Sequence, residues 1–262
     1  MLFESESHKA GQVAISVRNL NLIYKTTVQK KPTFRQALTR TGRKIRTVNA
    51  LTNLSLEIPY GSVLGVIGAN GAGKSSLMRV VAGIVPPTAG RVEVYGQVST
   101  LLSLGVGFNS RLTGRENVIL GGLAAGLTKS EIEDQFSAIA DFADIGEAID
   151  SPMKTYSAGM YSRLAFAVAV VVEPDVLIVD EALSTGDAKF KKKSLEKIKT
   201  LRGENRAIIL VSHALATIKE ICNDVLWLDK GKIVMRGNPD EVVAAYKESL
   251  QVAKSSSADE DL

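Results

Sequence analysis

A glycine, four intervening residues and then Gly-Lys-Ser is a spacing that handles phosphate, and residues 62–76 read SVLGVIGANGAGKSS. Gly71 and Gly73 let the backbone turn its N–H groups inward around phosphate oxygens, where a Cβ would obstruct. Gly68, Ala69, Asn70 and Ala72 complete the loop, and Lys74, Ser75 and Ser76 open the helix that follows. That helix aims its unpaired N–H groups and the positive end of its dipole at the same anion. Lys74 can reach terminal phosphates, and the Ser75 hydroxyl can ligate Mg²⁺.

Three further groups could act on a phosphate held there. The apolar run Val176–Val179 ends in Asp180 and Glu181. Burying ionised acids without partners is costly, so a cation or polar cavity is the simplest account. Asp180 would hold Mg²⁺ through its water shell, and Glu181 would polarise the water that attacks the terminal phosphate. His213 follows another apolar run, 207–211, and is either a structural histidine or a donor to a γ-phosphate. Ser157, Ala158 and Gly159 stand at a predicted helix start and again offer N–H groups to an anion. Tyr24, upstream of the loop, is either an adenine platform or a half-buried strand-end tyrosine.

The elements that must position these groups follow from periodicity. Val63–Ile67 is an apolar strand, and the helix after the loop presents Leu77, Val80, Val81 and Ile84 inward. Val13, Ile15 and Val17 alternate as in a half-buried strand that continues through Tyr24, and Ala50–Ile58 and Arg91–Tyr95 read as further strands. Residues 26–49 read as a basic insertion, with Phe34, Leu38, Thr41 and Ile45 at helical spacing. Such a stretch suits anionic headgroups or a partner's loops, or it is a solvated face. Residues 101–172 lack the strand pattern of their flanks and predict a helical subdomain inserted in an α/β core, with Thr128 and Glu131 as a capping box. A hairpin over 225–236 turns at Asp229-Lys230-Gly231, and a helix over 239–250 precedes a disordered acidic tail, 253–262.

Composition sets the outer limits. With 262 residues, 45% of them apolar, the chain can bury a sizeable core. Its longest apolar run, Leu164–Val172, falls well short of the roughly 18 residues of a membrane span. No secretory signal pattern precedes it, and one cysteine, Cys222, excludes an intrachain disulfide, so a cytosolic setting is expected. The net charge is +4, yet no acid lies between Glu6 and Glu57 while ten Lys and Arg do. Basicity therefore belongs to one segment and not to the whole surface.

Taken together, the phosphate loop, the YSAGM string, the acidic strand end and the histidine, in that order from about Val13 to Gly237, resemble the ATP-binding cassette of ABC transporters. The resemblance implies a P-loop NTPase fold with a RecA-like core, an antiparallel β-subdomain and an inserted helical subdomain, one ATP-binding domain over 1–252. It implies ATP and Mg²⁺ as ligands and a head-to-tail homodimer. Each ATP would lie between Gly68–Ser76 of one copy and Ser157, Ala158 and Gly159 of the other, and Asp187, ending ALSTGD, matches the loop through which the two sites communicate.

Within the family, YSAGMYSRLAF, LLSLGVGFNSRLTGREN and the insertion before Ala50 resemble the polysaccharide-export branch of Wzt and teichoic-acid type, with an actinobacterial galactan exporter as the best match. That branch implies a Wzm-like transmembrane permease, a lipid-linked glycan handled by the complex, and a peripheral place on the cytoplasmic face of the plasma membrane. The chain ends shortly after the cassette, so the carbohydrate-binding domain of longer members is expected to be absent. Most cassettes carry a glutamine between the phosphate loop and the helical subdomain; here Leu101–Leu104 stands near that place, the nearest glutamine is Gln97, and Ser103 is closest to the expected position. An importer or lipid-exporter cassette is a rival reading. A soluble ATPase acting on nucleic acid is a third, against which the chain has neither a second cassette nor a long coiled-coil insertion.

Overall fold

A computed structural model describes residues 11–28, 44–101, 108–180 and 187–259. Two sheets form. The larger runs β5–β6–β7–β3–β8–β9, from β5 (Val98–Thr100), β6 (Val176–Val179), β7 (Ala207–Val211), β3 (Val63–Ile67), β8 (Asp224–Asp229) and β9 (Lys232–Gly237). All neighbours in it are parallel except β8 and β9. The smaller is antiparallel, β2–β1–β4, from β1 (Val13–Val28), β2 (Lys44–Pro59) and β4 (Ala89–Val94).

The central strands are apolar throughout because both their faces are covered. Every residue of β3, β6 and β7 is buried. Leu64, Val66, Val176, Ile178, Ala207, Ile209 and Val211 pack with the antiparallel sheet, while Val63, Ile67, Leu177, Val179, Ile208 and Leu210 pack with helices on the opposite face. Those helices are α4 (Ala158–Val171), α5 (Ala188–Gly203), α6 (Leu215–Ile221) and α7 (Pro239–Asp259). A third apolar cluster holds the helical subdomain, where α2 (Gly114–Ala124) and α3 (Lys129–Ala143) pack beside α4 through Val118, Ile132, Ile139, Leu164 and Val168.

Parallel pairing brings the carboxyl ends of β3, β6 and β7 to one edge, with Val66 opposite Val211 and Val179 opposite Leu210. Gly68, Asp180 and His213 each follow one of these strands, so the register alone places all three at the same rim.

Three sequence expectations are amended. The phosphate-loop helix, α1 (Lys74–Val81), stops before Ile84, which is 45% exposed. Gly83 (φ +71°) ends it: Gly83 N–H donates to Val80 O and Ile84 N–H to Arg79 O, a Schellman closure that turns Ile84 outward. The stretch 26–49 is strand at both ends, since β1 continues to Val28 and β2 begins at Lys44, Val28 pairing with Lys44. Ile45 is in β2, and the rest of the helical spacing read there falls at 29–43, outside the described residues. The C-terminal helix passes Leu250 and reaches Asp259, where a disordered tail was expected.

Burial pushes the Cys222 thiol up to about 12, which makes it a poor nucleophile.

Candidate nucleotide site

The loop after β3 is built by close approaches that only glycine permits. Gly68 has φ +145°, and a Cβ there would collide with the backbone carbonyl of Leu228; Gly73 has φ +107°, and its Cβ would lie 2.7 Å from the Ala50 oxygen. Neighbouring strands brace the loop from outside. The hairpin turn between β8 and β9 bolts it to β2, because Gly231 N–H donates to Ala72 O at 2.9 Å and Thr52 N–H to Gly231 O at 2.8 Å.

Helix α1 then starts with no side chain over its amino end and no acid in its first turn. Four other helices are closed: Thr113–Glu116 and Thr128–Glu131 form capping boxes on α2 and α3, Ser157 caps α4 and Asp187 caps α5. The N–H groups of α1 are thus left to an anion in the cleft. Lys74 is buried, at 7% exposure, and its Nζ donates to the carbonyls of Gly68 at 2.8 Å and Ala69 at 3.1 Å. The ammonium is held across the loop in the place from which it can meet phosphate oxygens.

A cleft of about 330 Å³ opens over this cradle, walled by Tyr24, Val48, Asn49, Ala50, the loop residues Asn70–Ser76 and His213. Tyr24 and His213 therefore join the phosphate loop in one concavity. Val48 and Asn49, which by sequence fall in the basic insertion, add to the wall: Val48 pairs across the strands with Tyr24 and is 46% exposed. The signal that could have found it was the register of β1 and β2. Tyr24 is half-buried at the edge of the core between the sheets and also lines the cleft. Asp180 is half-buried at the end of β6 on the same rim, and Glu181 and Ser103 lie outside the described residues.

Ser157, Ala158, Gly159 and Asp187 are not among the residues that wall the cleft. Ser157 and Ala158 are exposed at the amino end of α4, where the Ser157 hydroxyl accepts from Met160 N–H. The segment before them is anchored by Tyr156, whose hydroxyl donates to Ala148 O at 2.6 Å and whose phenol burial raises in pKa. A second anchor escaped the sequence reading. Asn117, fully buried, accepts from Asn109 N–H and donates to the carbonyls of Asn109, Leu112 and Thr113. The loop it gathers bonds in turn to 153–154, through Met153 N–H to Leu112 O and Lys154 N–H to Ser110 O.

A parallel core carrying this loop at the carboxyl end of β3, an antiparallel sheet on one flank and an inserted helical subdomain define a phosphate-loop nucleotide-binding protein. Residues 51–184 match the ABC transporter family, and the chain belongs to that family. It is 43% identical over 219 residues to the O-antigen export system ATP-binding protein RfbB of Myxococcus xanthus, covering 84% of this chain and 50% of that protein. It is 42% identical over 211 residues to the teichoic acids export ATP-binding protein TagH of Bacillus anthracis, covering 80% and 38%. With ABC transporter protein AbcA of Aeromonas salmonicida the identity is 40% over 208 residues, covering 79% and 68%. The chain thus spans half or less of the length of the RfbB and TagH relatives. Among solved structures, the ATP-binding subunit of an ABC transporter superposes with TM-score 0.73 at 22% identity, covering 89% of this chain and 93% of that one. A dimeric cassette, MJ0796, bound to ADP and Pi superposes with TM-score 0.71 at 17% identity, covering 86% and 98%. These likenesses carry the fold.

Proposed function

We propose that the chain is the ATP-hydrolysing subunit of an exporter that drives a lipid-linked polysaccharide across the cytoplasmic membrane, acting as a head-to-tail pair beneath a transmembrane permease. The observation that carries the ATP reading is the cradle itself: an uncapped helix start, a lysine held across a glycine loop, and Asp180 and His213 brought by strand register to the same rim. The export reading rests on the relatives, whose names are those of O-antigen and teichoic acid exporters. Among the described residues no helix is long and apolar enough to cross a membrane, in keeping with a separate permease.

In this reading Tyr24 and Val48 take the adenine, and Lys74 with the N–H groups of Gly71–Ser76 takes the phosphates. The Ser75 hydroxyl and the Asp180 carboxylate are hard oxygen donors of the kind Mg²⁺ prefers, and the ion would neutralise charge developing on the phosphates. His213 donates to the terminal phosphate, and Glu181 orients water against it, so that positioning and electrostatics supply most of the catalysis. Ser157 and Ala158, exposed at the amino end of α4, and Gly159, half-buried beside them, lie away from the chain's own cleft and close over the nucleotide of the partner copy. Glu181→Gln is expected to lower ATP turnover at least about 100-fold while ATP still binds, because general-base groups contribute on that order. Turnover within a few-fold of the unaltered chain would remove Glu181 from the mechanism. Analysis of the glycolipid that co-purifies with the chain and its membrane protein tests the substrate; a complex that instead carries an extracellular binding protein would replace the export reading with an importer.

A further inference from the structure

Three helices meet on one guanidinium where the helical subdomain joins the core. Arg163, in the second turn of α4 and 17% exposed, donates through Nη2 to Asp144 Oδ2 at 2.8 Å, and its Nη1 lies 3.6 Å from Asp187 Oδ2. Asp144 is the carboxyl cap of α3, in the left-handed region at φ 50°. Asp187 is the amino cap of α5, where its Oδ1 accepts from Phe190 N–H at 2.8 Å. The guanidinium also covers the Phe190 ring, 5.1 Å from its centre. Around this centre α3 and α5 are tied twice more: Lys189 Nζ stands 3.6 Å from Asp144 Oδ2, and Lys193 Nζ donates to the carbonyls of Asp141 and Phe142. Beneath lie Phe142, Phe166 and Phe190, one from each helix, with ring centres 5.8 to 5.9 Å apart.

The charges agree with the distances. Lys189 first, and then the hydrogen bond from Arg163, hold the Asp144 carboxyl below the usual carboxylate range. An exposed pair of this kind contributes little by itself, but one planar fork serving two carboxylates from two different helices fixes their relative position, which a lysine's single point charge does not.

We propose that Arg163 is a positioning residue that makes the amino ends of α4 and α5 one unit, so that Ser157 and Asp187 move together with the end of α3. It follows that the Asp187 carboxylate is engaged within its own chain at both oxygens, and that its task is to hold the start of α5 in place. The consequence for turnover rests on the function proposed above, in which the amino end of α4 closes over the partner's nucleotide; the consequence for α5 does not.

The test compares Arg163→Ala, Arg163→Lys and Asp144→Asn with the unaltered chain in two ways. Native-state hydrogen exchange is read at the Phe190 amide, and ATP turnover is read beside the affinity for a fluorescent ATP analogue. In Arg163→Ala the Phe190 amide is expected to exchange about tenfold faster or more, as loss of a charge-assisted contact from a helix cap implies, while amides of β3 and α1 are unchanged. Turnover falls about tenfold or more with analogue affinity within about twofold, and Arg163→Lys restores neither fully. Should Arg163→Ala not fold, Asp144→Asn, altered at an exposed carboxylate, is expected to speed Phe190 exchange about threefold. An unchanged Phe190 amide in the variant that folds overturns the proposal, and so does an Arg163→Lys chain indistinguishable from the original. If the unaltered chain hydrolyses no ATP, the ATPase reading fails, while the exchange result still decides the role of Arg163.

Discussion

Lys74→Ala lowers ATP turnover at least about 100-fold, the scale on which removing a charged group that meets developing negative charge acts. The size of the effect follows from placement. Lys74 is 7% exposed, its Nζ is fixed by two loop carbonyls, and the backbone N–H groups around it supply only partial charges. Lys74→Arg is expected to recover little, because the guanidinium is a broad planar fork and the space between Gly68 O and Ala69 O suits a compact ammonium. Circular dichroism should show both variants folded, so that the loss is read at the phosphate and not at the fold. Turnover in Lys74→Ala within tenfold of the original would mean that the cradle does not hold the reacting phosphate.

The second large effect falls on stability. Gly68→Ala places a Cβ against the Leu228 carbonyl in a backbone conformation at φ +145° that L-residues rarely adopt, and the obstacle is β8 of the central sheet, which cannot give. A cost of about 3 kcal/mol is expected, the upper end for a strained backbone site. In a domain of this size that lowers the thermal midpoint by roughly 6–12 °C. Gly71→Ala is the internal comparison. Its φ of +78° imposes strain, but a Cβ there meets nothing within 4 Å, so it should cost only about 1 kcal/mol. Differential scanning calorimetry should rank Gly68→Ala well below Gly71→Ala; equal midpoints would mean that the β8 carbonyl does not confine the loop.

These expectations rest on elements that differ in how openly the sequence declares them. Strands β3, β6 and β7 were legible as uninterrupted apolar runs, because burial on both faces leaves no polar position to confuse the period. The outer halves of β1 and β2 were not. Beyond Tyr24 and before Ala50 the strands pair, among the described residues, only with each other; Lys25, Arg46 and Thr47 stay exposed and no alternation marks them as strand. That same pairing brings Val48 to Tyr24, which is why this part of the cleft wall is not visible in the sequence. The end of α1 was written in Gly83, but the inward spacing of Leu77, Val80 and Val81 drew the helix one turn too far. Thr113 and Glu116 carry a capping-box spacing in plain sight, whereas the role of Asn117 depends on a loop folded back on it. The link from Arg163 to Asp144 and Asp187 joins positions far apart in the chain, and no local pattern announces it. Chemistry concentrated in a short string is readable; geometry assembled from distant segments requires the fold.

The cleft holds the cradle, while Ser157, Ala158 and Gly159 stand outside it on α4, and in the function proposed above a second copy of the chain closes the site. Sedimentation of the Glu181→Gln chain with and without Mg²⁺-ATP measures this directly. The prediction is a two-chain species that appears only with ATP and is lost when Ser157→Arg is added. A single-chain species throughout, at the highest concentration reached and with ATP bound, would contradict it.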